Sequence, residues 1–198
     1  MPRVFIRILL THSAVIRASK EKNKEMKILL LTVGLVLVFG IKAQPNNLED
    51  PKSLSGIWYT VAVCANVTSK IEEGGELRLY VRDITVHDDG NLSGTFCRKE
   101  HEEEILFPLS TFLDSDGERH FLYDGRNDFA LESQGDQYAM FSVKNVKNDD
   151  TTAWGVLYGR TPDLPEEIKE KFEEMCIHMG TDKNQVKDLS NDDACDRP

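Results

Sequence analysis

The chain has 198 residues, 24 of them basic and 34 acidic, and a formal charge of −10 at neutral pH. That length suits one domain with a sizeable core and is short for two. The acidic balance repels nucleic acid and anionic membrane, so neither is expected as a partner.

The first element is a leader. Met26-Lys27 is followed by an apolar run from Ile28 to Ile41, then by Lys42 and the small residue Ala43 before Gln44. A charged start, a short apolar stretch and a small residue at the cut make a secretory signal peptide. The run is too short to span a bilayer comfortably, so no membrane insertion is expected. Residues 1–25 precede a complete signal and read as an upstream extension, with Met26 or Met1 as the working start. Residues 1–43 are therefore expected to be removed and residues 44–198 to form the working domain. Eight basic and two acidic residues fall in 1–43, which leaves the working domain 16 basic and 32 acidic groups, a formal charge of −16.

Beyond the leader the pattern has period two. Leu77, Leu79 and Val81 alternate with polar or aromatic neighbours, and Ile84 and Val86 continue out of phase, which predicts a bulge near Asp83. Ala139, Phe141 and Val143 form a second set, and Trp154, Val156 and Tyr158 a third. Turn signals separate the segments at Asp88-Asp89-Gly90-Asn91, Asp114-Ser115-Asp116-Gly117, Asp124-Gly125 and Lys147-Asn148-Asp149-Asp150. Eight strands are predicted, at 57–65, 76–87, 92–99, 104–112, 119–124, 128–133, 137–145 and 152–159. Short strands at this spacing imply a sandwich or a barrel. One helix follows. Pro165-Glu166-Glu167 suits a first turn, Ile168, Phe172, Met175 and Met179 recur at helical spacing, and Gly180 is the stop. Its apolar stripe is expected to pack on the outside of the sheet.

Cys64, Cys97, Cys176 and Cys195 all follow the leader, and four cysteines in a secreted chain allow three disulfide pairings. No Cys-x-x-Cys or Cys/His cluster has zinc spacing, so no metal is expected. Asn66-Val67-Thr68 and Asn91-Leu92-Ser93 are candidate glycan acceptors. His87, His101 and His120 fall in turns and charged segments and read as surface residues, as does the Glu102-Glu103-Glu104 run. No Gly-x-Ser-x-Gly elbow or phosphate loop is present in the sequence, which leaves an enzyme reading without support.

Two motifs carry a family resemblance. Gly56-Ile57-Trp58-Tyr59 on the first strand and Leu157-Tyr158-Gly159-Arg160 ending the eighth resemble the opening and closing signatures of the lipocalins. Lys70 to Gly75, Tyr123-Asp124-Gly125, Leu157 to Leu164, Ile168 to Phe172 and Asp188 to Asn191 are similar to the major urinary protein and odorant-binding branch. The family's middle motif appears only as Gly135-Asp136-Gln137-Tyr138, and Glu102-Glu103-Glu104 stands where relatives carry their fourth-strand cysteine.

The resemblance implies an all-β chain with one C-terminal helix, an eight-stranded up-and-down antiparallel barrel, plugged by Trp58 under Arg160. It implies a disulfide from Cys97 to Cys195. Cys176 takes the place of a free buried thiol in relatives, and Cys64 and Cys176 either pair or stay apart. The implied ligand-lining set is Leu77, Leu79, Val81, Phe96, Phe121, Tyr123, Phe129, Ala139, Phe141, Val143, Trp154 and Tyr158, with the Tyr123 and Tyr158 hydroxyls as orienting groups. The implied function is a secreted carrier of a small hydrophobic ligand such as an odorant, pheromone or lipid, without catalysis or cofactor. One lipocalin branch isomerises prostaglandins through a barrel cysteine, but Cys64 has no activating neighbour in the sequence. The alternative is a secreted protein that is itself a signal or a milk-type protein with a filled cavity. A cell-surface receptor and a second copy of the chain are the protein partners left open.

Overall fold

Strand pairing dominates the computed structural model, which describes residues 51–100, 103–192 and 195. The leader, His101 and Glu102 lie outside the described residues. After a 3-10 turn at Pro51–Leu54 come strands β1 (Gly56–Ile57), β2 (Tyr59–Ala65), β3 (Tyr80–Val86), β4 (Leu92–Glu100), β5 (Glu103–Ser110), β6 (Phe112–Leu113), β7 (Arg119–Leu122), β8 (Arg126–Gly135), β9 (Tyr138–Lys147) and β10 (Asp150–Gly159). Helix α1 (Glu166–His178) and a final short strand β11 (Val186–Asp188) complete the chain order. No helix among the described residues is long and apolar enough to cross a membrane.

The fold is mostly β with one helix, but the strand count and closure differ from the expected eight-stranded barrel. All pairings are antiparallel, in a four-stranded sheet ordered β1-β3-β4-β5 and a seven-stranded sheet ordered β11-β2-β10-β9-β8-β7-β6. Two predicted strands each serve both sheets. The first parts at Trp58, whose backbone N–H donates to Arg82 O at 3.1 Å while β2 turns away to pair with β10. The fourth parts at Thr111, whose N–H donates to Leu92 O at 2.8 Å before β6 joins β7. These two corners connect the sheets, and the eleventh strand is the tail added along β2.

The second predicted strand begins later than expected. Leu77 and Leu79 precede β3 because their backbone is held in the loop, with Leu77 N–H on Lys70 O and Arg78 N–H on Gly75 O. The predicted bulge is present: the β3–β4 register shifts between Val81 and Asp83. The hairpin turns use positive φ at Asp124 (48°), Asn148 (51°) and Asp149 (69°), the left-handed conformation that short polar residues tolerate best after glycine.

Where α1 covers it, along β2, β10 and the start of β9, the seven-stranded sheet is buried on both faces. Its inner face joins Val63, Ala65, Phe141, Val143, Trp154, Val156 and Tyr158 to Leu77, Val81 and Ile84. Its outer face packs Val61, Ala62, Met140 and Leu157 against Phe172 of α1, with Ile168 and Met175 at the margin. This explains why β2 is buried without alternation from Thr60 to Ala65. The helix approaches closely because Gly155 has no side chain. A Cβ there would stand 3.0 Å from both Cys64 Sγ and Met175 Cε.

Both pairs of cysteines are joined. Cys97 and Cys195 tie the tail to β4, with Cα atoms 5.9 Å apart. Cys64 and Cys176 join β2 to α1 at 6.3 Å, so Cys176 is not a free thiol in this chain.

Candidate ligand-binding site

The inner face of the seven-stranded sheet carries a diagonal row of aromatic rings. Phe121 on β7, Phe129 on β8, Phe141 on β9 and Tyr158 on β10 lie at successive centroid distances of 5.9, 6.3 and 5.8 Å, each pair tilted by about 55°. Rings recur on one face because each sits an even number of residues from its neighbours along the strand, and adjacent strands bring diagonal positions within aromatic reach. Tilted pairs at this separation suit the ring quadrupoles. Opposite the row stand Ile84, Gly94, Phe96 and Leu109 of the four-stranded sheet. Between the two walls is a cavity of about 80 Å³.

Eight of the twelve predicted lining residues border this cavity: Leu79, Phe96, Phe121, Phe129, Phe141, Val143, Trp154 and Tyr158. Leu77, Val81 and Ala139 belong to the same buried cluster but do not border the cavity. Tyr123 departs from its expected role. Its ring stacks on Phe107 at 5.2 Å and its hydroxyl donates to Glu76 O at 2.8 Å, so that group is already engaged and does not border the cavity. The sequence analysis missed Ile84, Leu92, Ser93, Gly94, Leu109, Ser110, Thr111 and Val156. Val156 and Ile84 had signals: the first shares the Trp154/Tyr158 phase, and the second is brought inward by the bulge. Leu109 had none, because residues 105–109 are a continuous apolar-and-proline run rather than an alternating one.

The cavity wall holds no charged side chain. Its polar groups are few, and several are occupied. Ser93 Oγ lies 2.8 Å from His87 Nε2, and Thr111 Oγ1 accepts from Leu92 N–H at 2.8 Å. Tyr158 is buried, and that burial pushes its phenol above the usual range. Trp154 is 3% exposed, and among the described residues its Nε1–H has no hydrogen-bond partner.

Beyond Tyr158 the core ends on a stacked plug. Trp58 is 1% exposed and donates from Nε1 to Leu54 O at 2.6 Å. The Arg160 guanidinium lies 3.6 Å from the Trp58 ring centroid and donates to Ile57 O (2.7 Å), Ser53 O (2.5 Å) and Ser55 O (3.1 Å). Gly56, at φ +118°, lets the chain bend there, and an added Cβ would stand 3.1 Å from Arg160 Nη1. Two histidines divide. His87 is exposed, whereas His120, expected at the surface, is buried against Phe112 with ring centroids 4.0 Å apart. The β6 segment beyond the Thr111 corner covers it.

Near the Cys97–Cys195 tie, Arg78 donates to Asp192 from Nη2 (2.5 Å), to Tyr80 Oη from Nε (3.0 Å) and to Ile71 O from Nη1 (3.2 Å). The Tyr80 hydroxyl donates to the same Asp192 oxygen at 2.5 Å. Burial and that bond to a carboxylate push the Tyr80 phenol up to about 12, and burial also raises Tyr123. A phenol raised above its unfolded value stabilises the fold fully below about pH 10 and ceases to do so as pH climbs toward 12. In an absorbance titration at 295 nm, Tyr80, Tyr123 and Tyr158 of the five tyrosines are expected to ionise late, together with loss of near-ultraviolet circular dichroism. Ionisation of all five near pH 10 in a folded protein would contradict this.

The two-sheet core, its plug and the outer helix define the chain's class. The family model for the lipocalin / cytosolic fatty-acid binding protein family matches residues 55–193, and the chain belongs to that family. Among curated relatives, lipocalin Can f 6.0101 of Canis lupus familiaris is 33% identical over 175 residues, covering 86% of this chain and 92% of the relative. Trichosurin of Trichosurus vulpecula is 34% identical over 181 residues, covering 86% and 100%. Major urinary protein 20 of Mus musculus is 31% identical, covering 86% and 97%. Among solved structures, odorant binding protein OBP1 matches with a TM-score of 0.70 at 24% identity, over 75% of this chain and 98% of that one. The possum milk whey lipocalin trichosurin, solved with bound 4-ethylphenol, matches with a TM-score of 0.66 at 34% identity, over 72% and 100%.

Proposed function

We propose that the protein is a secreted, non-enzymatic carrier that holds one small apolar molecule between its two sheets, which act together as a calyx. The observation that carries this reading is the apolar cavity walled by the Phe121–Phe129–Phe141–Tyr158 row, without a charged group. Family membership supports it, as do relatives named for odorants and urine and one solved with a small phenol. Residues 1–43 serve as extension and cleaved signal. Two disulfides suit an oxidising compartment. The sequons at Asn66 and Asn91 lie at the ends of strands, Asn66 exposed and Asn91 partly so, and are the glycan sites of this reading. The small volume favours compact volatiles over retinoids and long-chain lipids.

Burial of roughly 250 Å² of ligand at about 25 cal/mol per Å² gives about 6 kcal/mol, a dissociation constant of tens of micromolar or better once packing contacts are added. Calorimetric titration of the secreted protein with 4-ethylphenol is expected to show one site in that range. Tyr158→Phe should weaken it about tenfold by removing the one buried hydroxyl of the aromatic row. A folded, disulfide-intact protein that binds neither this phenol nor other monocyclic volatiles would move the reading to its alternative. That alternative has one observation in its favour: the cavity left among Phe141, Trp154 and the other lining side chains is only about 80 Å³. The folded surface, recognised by a receptor, would then be the signal.

A further inference from the structure

The bridge that ties the tail to β4 has a third metal-ligating side chain beside it. Cys97 Sγ, Cys195 Sγ and a carboxylate oxygen of Glu104 all lie within 4.8 Å of one another. They come from three segments: Cys97 from β4, Glu104 from β5 and Cys195 from the C-terminal tail. Strand phase brings the first two together. Cys97 pairs with Leu106, and Glu104 is two residues along β5, so both side chains stand on the same face of the sheet. Cys97 alternates with the cavity residue Phe96, so that face is the one turned away from the cavity. The Cys195 N–H donates to Glu104 Oε1 at 2.5 Å, which holds the carboxylate at the bridge. Among the described residues no other set of three histidine, cysteine or acidic side chains converges so closely, and Cys64–Cys176 gains no such third member.

Two thiolates and a carboxylate are a donor set for zinc. Metal–sulfur bonds of about 2.3 Å and metal–oxygen bonds of about 2.1 Å, set tetrahedrally, place donors about 3.5–4 Å apart. A disulfide offers no thiolate, so these sulfurs become ligands only when the bridge opens. The tail is anchored for that event. Arg78 Nη2 and the Tyr80 hydroxyl each donate to Asp192 at 2.5 Å, three residues before Cys195. Glu104 is exposed, which gives an ion a route in and leaves room for water as the fourth ligand. Zinc on two thiolates and one carboxylate carries a net charge of −1, and Lys99, paired with Glu104 across β4 and β5, sets a cation beside it.

We propose that Cys97, Cys195 and Glu104 form a redox-gated zinc site, in which a metal clasp replaces the tail bridge under reducing conditions. With a phosphine as reductant, the S–S bond breaks and two thiols form. The phosphine supplies the two electrons and is oxidised to its oxide, and water supplies that oxygen and the two protons. Zinc then binds both sulfurs and the Glu104 carboxylate and releases the two thiol protons. The inference is independent of the carrier reading, because the site lies on the other face of the four-stranded sheet.

The test uses the disulfide-intact protein, opened by a phosphine in the absence of oxygen, with cobalt(II) as the spectroscopic stand-in for zinc. The reduced protein is expected to take up one cobalt, with tetrahedral visible bands and the charge-transfer intensity of two cobalt–thiolate bonds; added zinc bleaches both. The oxidised protein is expected to take up none. Glu104→Gln should weaken cobalt binding by at least about tenfold, and Cys195→Ser should remove one thiolate from the charge-transfer band. Where reduction loosens the fold, zinc is expected to restore the near-ultraviolet circular dichroism, since metal binding and folding are linked. The band intensity is read in the unaltered chain, so it stands even where a variant folds poorly. Absence of cobalt from the reduced protein, a four-thiolate intensity, affinity indifferent to Glu104→Gln, or equal uptake by the oxidised protein would each overturn the proposal.

Discussion

Trp58→Ala is expected to destabilise the protein by about 4 kcal/mol, the range found when a fully buried large aromatic is truncated. The loss has three parts. The ring fills the base of the core at 1% exposure, its Nε1–H closes the 3-10 turn through Leu54 O, and its face carries the Arg160 guanidinium at 3.6 Å. Truncation leaves a void that the two-sheet corner cannot collapse into, because Trp58 is the residue at which the first strand passes from one sheet to the other. Trp58→Phe keeps an apolar face but loses the bond, and is expected to cost about 1–2 kcal/mol. Arg160→Lys should be poorly tolerated too, since one ammonium cannot stack on the ring and reach the carbonyls of Ile57, Ser53 and Ser55 together. Urea unfolding of Trp58→Ala, Arg160→Lys and their double variant yields a coupling energy, expected near 1–2 kcal/mol for a desolvated cation–π pair. Coupling below about 0.3 kcal/mol would reduce Arg160 to a carbonyl clamp that merely lies near the ring.

Removal of the Cys64–Cys176 bond is the second large effect. The two residues are 112 apart in sequence, and the chain-entropy relation for a loop of that size gives about 5 kcal/mol. Engineered cases often deliver less than the relation, so a loss of about 3–5 kcal/mol is expected for Cys64→Ala with Cys176→Ala. The site adds a packing term: both cysteines are fully buried between sheet and helix, above Gly155. Hydrogen exchange is expected to quicken most in α1, whose remaining anchors on the outer face are Phe172, Ile168 and Met175. A double variant within about 1 kcal/mol of the parent, with α1 still protected, would show that the helix is held without the bridge, by packing and by the Lys169 and Lys171 contacts to the sheet.

Much of this fold is legible in the sequence, for reasons particular residues make plain. Alternation at Ala139, Phe141 and Val143 marks an inner face, the phase change after Val81 marks a bulge, and Pro165 and Gly180 bracket a helix that runs Glu166–His178. What is not legible depends on partners far along the chain. Nothing local separates Gly56–Ile57 from the strand that follows, because the break at Trp58 comes from two different neighbours, β3 and β10. Val186–Asp188 is too short to announce itself and is a strand only because β2 offers an edge. Nothing local marks Asn127 and Asn145 as interior, yet both are wholly buried, with Asn145 Nδ2 donating to Asn127 Oδ1 at 3.1 Å beneath the Asp124 turn. The site follows the same rule. Its aromatic row is written in strand phase, whereas the engagement of Tyr123 with Glu76 and the isolation of Trp154 Nε1 depend on what the rest of the fold leaves nearby.

The order of the four cysteines has a topological consequence. Their pairings, 64 with 176 and 97 with 195, interleave along the chain instead of nesting or following one another. Every peptide bond between Cys64 and Cys195 is therefore spanned by at least one bridge, and every bond from Cys97 to Cys176 by two. A single proteolytic nick at an exposed hairpin tip, such as that between β9 and β10, severs the backbone without releasing a fragment. The cut protein stays one covalent body with both sheets in place until a reductant reaches the bridges.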